Sequence, residues 1–252
     1  MPRKARTLAV SAFLASILVV QTPISAAEVV SPPSPTYTLQ PLNYNRKDSV
    51  AIAFGGALCD QGQCINIKHP AALGDASIQA GADNLNTMLT TDAHTSAVVA
   101  GQSQGAQSAT RWMEQYAASL PEGEDVTFVL IANPSRKTGF RAQNGFATPT
   151  PEDSRFTVID IAREYDGWAD WPDHFSILAI TNATMGMYGI HTKYEDVTNA
   201  PTTVEEIERA AVDDPDATEN LVWKKGSTYY VVNRTEILPI ATPLTWIGMP
   251  NT

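Results

Sequence analysis

Two hydrophobic rhythms alternate along this chain. Short apolar runs, rich in Val, Ile and Phe and bounded by turn residues, occur at 49–56 (SVAIAFGG), 95–101 (TSAVVAG), 125–134 (DVTFVLIANP) and 155–165 (RFTVIDIAREY). Runs of this length and composition predict strands. Between them lie stretches with helical spacing at 77–90, at 104–120 (stopped by Pro121) and at 174–190, the last almost wholly apolar. Strand and helix in alternation predict a parallel sheet covered by helices on both faces, an α/β architecture. Toward the end, 221–232 reads as a hairpin with its turn at Lys225-Gly226-Ser227, and 235–244 as an extended, proline-punctuated closure. The acidic stretch 202–220 predicts a short surface helix and a loop.

The first 47 residues follow neither rhythm. Arg3, Lys4 and Arg6 precede an apolar segment, Leu8 to Val20, and small residues Ser25-Ala26-Ala27 follow, which is the pattern of a secretory signal ending at residue 27. The apolar segment is short for a membrane span, and an uncleaved anchor is the other reading. Residues 28–47 are proline-rich and predict an extended linker, so the folded domain is expected to span 48–252.

Charge and cysteines narrow the setting. The 252-residue chain carries a net charge of −10, and removal of 1–27, with three basic and no acidic residues, lowers it to −13. Such a surface disfavours nucleic acid and anionic headgroups as partners. The two cysteines, Cys59 and Cys64, are expected to close a small disulfide loop after export. No ligand cluster calls for a metal or cofactor.

Candidate chemistry gathers at Gly101-Gln102-Ser103-Gln104-Gly105, where a predicted strand gives way to a predicted helix. A serine between glycines at such a junction is the nucleophile-elbow pattern, in which small neighbours let the chain reverse and expose the hydroxyl. Backbone N–H groups after the serine, that of Gln104 first, then stand where an oxyanion would form. A serine hydroxyl needs a base and a carboxylate, in the chain order Ser, Asp, His. His69 and His94 precede the serine, His174 suits a capping or surface role, and His191 sits in the loop position a base requires. Asp166, at the end of the strand 155–165, is the expected acid, and Asp170 in the same segment is its alternative. Gly55, Gly56 and Ala57, after an early strand, are expected to complete the oxyanion hole. Trp168, Trp171 and the apolar segment 174–190 are candidates to line an acyl groove.

Four segments in order, GQSQGA (101–106), IAREYDGWADWP (161–172), NATMGMYGIHTKY (182–194) and TYYVVNRTEILPIATPL (228–244), resemble the PE-PPE domain, a cutinase-like serine hydrolase unit of mycobacteria and related actinobacteria. The resemblance runs from about residue 48 to 247. It implies an α/β-hydrolase fold, no cofactor, and action on acyl esters with Ser103 as nucleophile, the acid in YDGWAD and His191 as base; Tyr194 matches the family's tyrosine. Residues 1–47 read as a signal and a linker and not as a PE or PPE helical module, so a stand-alone secreted form is expected. Water as final acceptor makes such a protein a secreted esterase. A sugar hydroxyl makes it an envelope acyltransferase loading trehalose-type glycolipids. A third reading is a non-catalytic envelope protein on a hydrolase scaffold, and on any of the three the expected partners are an acyl ester or glycolipid and a peripheral contact with the lipid envelope.

Overall fold

The computed structural model describes residues 34–42, 48–59, 64–91, 96–213 and 219–242. The expected signal and the start of the expected linker lie outside these residues, as does His94. Among the described residues no helix is long and apolar enough to cross a membrane.

Along the chain the elements are β1 (Thr36–Leu39), α1 (Ser49–Ile52), β2 (Cys64–Asn66), α2 (Asp75–Thr91), β3 (Ser96–Gln102), α3 (Gln104–Gln115), β4 (Asp125–Ile131), α4 (Phe140–Gln143), β5 (Thr157–Arg163), α5 (Ile177–Gly189), α6 (Val204–Asp213), β6 (Asn220–Lys225) and β7 (Thr228–Asn233). The seven strands form one sheet in the order β2-β1-β3-β4-β5-β7-β6, parallel throughout except for β6, which runs against β7 as the predicted hairpin.

Strand residues alternate between two cores, as the two-residue side-chain period requires. On one face Leu39, Val99, Phe128 and Val158 pack against Ala82 and Leu85 of α2 and Ala109 and Trp112 of α3. On the other, Ala100, Val129, Ile159 and Val231 pack with Val50 of α1, Ile207 of α6 and the segment holding Tyr194 and Val197. Both faces are therefore covered, and the architecture is an α/β-hydrolase-type fold. Trp112 anchors the first core, its ring centroid 5.5 Å from those of both Phe128 and Phe156.

Two expectations fail near the beginning of the domain. The run 49–56, read as a strand, is α1 followed by a 3-10 turn at Ala53–Gly56, with Phe54 and Gly55 at positive φ. Asp48 caps α1 by accepting from the Ala51 N–H at 3.0 Å, and the cap outweighs the strand propensity of Val50 and Ile52. The early strand is β1, inside the stretch read as linker. Its four residues are buried between β2 and β3, so the domain begins before residue 48. The prolines beside it conceal it, because they sit just outside the paired residues. At the far end, the expected extended closure contains a 3-10 turn at Pro239–Ala241.

Candidate active site

The elbow is built by close contact between bare backbones. Ser103 has φ 52° and ψ −110°, a conformation non-glycine residues rarely adopt, and turns the chain from β3 into α3. A Cβ on Gly101 would lie 2.7 Å from the carbonyl carbon of Gly105, and one on Gly105 would lie 2.0 Å from the Leu39 carbonyl oxygen of β1. The two glycines thus let the turn close on itself and let α3 rest on β1. Hydrogen bonds from Ser103 N–H to the Ile131 carbonyl (2.9 Å) and from Gln107 N–H to the Ser103 carbonyl (3.1 Å) hold it.

His191 follows the end of α5, its N–H bonded to the Gly186 carbonyl at 3.1 Å. Its Nε2 lies 2.8 Å from Ser103 Oγ, and its Nδ1 lies 2.9 and 3.0 Å from the two oxygens of Asp166. An Nδ1 facing a carboxylate carries the proton, which leaves Nε2 to accept from the serine hydroxyl. Asp166 is wholly buried, one turn past β5 and beyond Tyr165 at φ 64°. It also accepts from the Trp168 N–H (3.1 Å) and the Tyr194 hydroxyl (2.8 Å).

Asp170 stands apart from this chain of bonds. Its side chain accepts from the Tyr165 N–H at 3.3 Å, and burial pushes its carboxyl above the usual carboxylate range. His174 lies on the surface against Asp173, and His69 bonds the Ile67 carbonyl. Cys59 and Cys64 form the expected disulfide, joining the turn after α1 to β2.

A cavity of about 450 Å³ opens in front of Ser103 and His191. Leu42, Leu73, Trp168, Met187 and Tyr188 make its apolar wall, and Ser49, Gln102, Gln107 and Arg141 contribute polar groups. Leu73 and Tyr188 are 82% and 81% exposed, so the apolar wall continues to the surface. Trp171 instead packs on Phe140, 4.9 Å between centroids.

Gly55, Gly56 and Ala57 are absent from the lining of this cavity. Ala57 faces a separate groove with Thr198 and Glu206, and the glycines form the left-handed turn after α1. The displacement follows from the misplaced early strand: Pro41 and Leu42, just past β1, and Ser49, at the start of α1, line the cavity instead. Ser49 was not singled out by sequence; its hydroxyl is buried and has no hydrogen-bond partner among the described residues. Gln104 starts α3, so its N–H has no intrahelical acceptor. Its side chain is tied to the Ala72 carbonyl (2.7 Å) and the Ser77 hydroxyl (3.0 Å).

A parallel sheet with a strained serine turn at its carboxyl edge defines the α/β-hydrolase class of fold. Within that class the PE-PPE domain matches residues 60–252, and the chain belongs to this family. Among solved structures, a cutinase-like protein from Cryptococcus sp. is 16% identical, with a TM-score of 0.43, covering 65% of this chain and 93% of that one. The type II thioesterase BorB from the borrelidin biosynthetic cluster is 14% identical, with a TM-score of 0.36, covering 61% and 78% respectively. No curated relative matches the sequence.

Proposed function

We propose that this protein is a secreted serine esterase that hydrolyses acyl esters through Ser103, His191 and Asp166. The observation that carries the reading is the continuous hydrogen-bonded chain from Ser103 through His191 to Asp166, facing a largely apolar cavity. Nε2 of His191 takes the hydroxyl proton as Ser103 Oγ attacks the ester carbonyl, and the imidazolium is stabilised by Asp166. The Gln104 N–H and the Ser49 hydroxyl donate to the oxyanion, in place of the Gly55–Ala57 segment. His191 then returns the proton to the departing alcohol, and water resolves the acyl-enzyme by the same steps in reverse roles. The acyl chain lies along Leu42, Trp168, Met187 and Tyr188.

The reading is tested by labelling the exported protein with a fluorophosphonate probe. Wild type is expected to label, and Ser103→Ala and His191→Ala, folded as judged by circular dichroism, to lose it. Folded wild type that neither labels nor cleaves a nitrophenyl ester would return the protein to a non-catalytic scaffold. Incubating the acyl-enzyme with and without trehalose then separates hydrolysis from transfer: free acid in both cases supports the esterase, and acylated sugar makes it an acyltransferase.

A further inference from the structure

Asp166 is the innermost member of the chain that runs from Ser103 through His191. It is fully enclosed, and Asp170, four residues on in the same loop, is a second carboxylate whose proton affinity Asp166 helps to raise. An enclosed carboxylate stays charged only where donors and cations meet it. Tyr194 is one of those donors and is itself buried. It lies three residues after His191, and its hydroxyl oxygen accepts from the N–H of Arg163, the last residue of β5, at 2.9 Å. Its carbonyl accepts from the Phe54 N–H at 2.9 Å, and the Phe54 ring meets its own edge to face. One phenol therefore ties together the end of β5, the loop of the acid and the loop of the base. With Arg163 N–H filling its acceptor side, the hydroxyl turns its proton to Asp166 Oδ2. Burial and the neighbouring Asp166 charge hold that proton in place, well above the ordinary tyrosine range.

We infer that Tyr194 is a positioning residue: its hydroxyl fixes Asp166 Oδ2, so that the carboxylate meets His191 in one orientation. The inference rests on the esterase reading given above and deepens it. The groups that face Asp166 are Asp170 from its own loop and His191 and Tyr194 from the loop after α5, while Arg163 at the end of β5 acts on Tyr194. Arg136, from the loop after β4, and Glu164 act on Asp170.

The experiment compares Tyr194→Phe, Asp166→Asn and the double variant in ester hydrolysis across pH. Tyr194→Phe keeps the ring packing and removes only the donor. Its kcat is expected to fall about tenfold, the order of one charge-assisted hydrogen bond, with KM unchanged. Without the donor the carboxylate turns its full charge to the imidazole, so the acid limb of kcat/KM moves to higher pH. In the Asp166→Asn background the same substitution is expected to cost nothing further, because the group it acts through is gone. A purely structural tyrosine would lower Tm and leave the pH profile alone, or would add its loss to that of Asp166→Asn; either result overturns the inference. Titration of the His191 ring followed by NMR in wild type and Tyr194→Phe gives a readout without turnover. If Ser103 fails to label but this titration moves upward, the esterase reading falls and the hold on Asp166 stands; if it does not move, the hold falls.

Discussion

Asp166 and Asp170 share one loop and one chemical group, yet their surroundings differ. Asp166 faces His191, Trp168 N–H and Tyr194, whereas Asp170 is half-buried with one backbone donor at 3.3 Å. Asp166→Asn is therefore expected to lower kcat by about 10³–10⁴-fold, because the amide no longer holds the imidazole in its reactive tautomer. Asp170→Asn is expected to keep esterase activity. Burial raises the folded-state pKa of Asp170, so its ionised form opposes folding, and wild-type stability drains away as pH rises from the ordinary carboxylate range through that raised value. Asparagine does not titrate, so the Tm advantage of Asp170→Asn should grow over the same interval. Thermal melts from pH 3 to 7 measure it, and an advantage that shrinks with pH would contradict the assignment.

At the scale of elements, the site depends on how closely α5 approaches the turn after β5. A Cβ on Gly186 would lie 1.7 Å from the Tyr165 carbonyl oxygen, and one on Gly167 would lie 2.2 Å from the Ala183 carbonyl oxygen. Helix and turn meet backbone to backbone, and that contact sets the distance between Asp166 and His191. Gly186→Ala should cost about 1–3 kcal/mol of stability by overpacking. It should also lower kcat, since α5 must shift away from the acid loop; denaturant unfolding and steady-state kinetics on one preparation would show both. A variant with reduced stability and unchanged kcat would mean that the loops adjust independently. The composition of α5 is legible in sequence, as an apolar run between Ser176 and Gly189, whereas its fit against Tyr165–Gly167 is not. Contact between segments that far apart is decided by which backbone atoms meet, and no periodicity records it.

For the whole molecule, one buried ion pair crosses several strands. Arg136, after β4, donates to the Asp160 carbonyl (2.8 Å) and carboxylate (3.1 Å) on β5 and to the Val231 carbonyl (3.3 Å) on β7. Its guanidinium lies 4.9 Å from the Tyr230 ring centroid and 5.4 Å from that of Trp223. Burial pushes the Asp160 carboxyl upward, and Arg136 and Asn133 oppose this. Arg136→Met leaves that carboxylate without its cation and should destabilise by about 3–5 kcal/mol, a large part of the roughly 5–15 kcal/mol typical of a domain. Urea unfolding followed by tryptophan fluorescence tests this; a loss under 1 kcal/mol would show that Asp160 is held without its partner.

The sequence by itself determined the parallel strands β3, β4 and β5, the hairpin, the long helices and the serine turn. These are local outcomes, written in hydrophobic period, turn residues and glycine spacing. It also placed Ser103, Asp166 and His191 in an order that a sheet of this kind can bring together. Tertiary structure alone decided the rest. Four residues among prolines became the buried strand β1 because neighbours on both sides completed their hydrogen bonds. A capped apolar run became α1, which moved the cavity wall from Gly55–Ala57 to Leu42 and Ser49. The choice between two aspartates, and the place of Tyr194 beneath one of them, depends on directions of side chains converging from distant segments. Local pattern cannot encode those directions, because they exist only once the segments are packed.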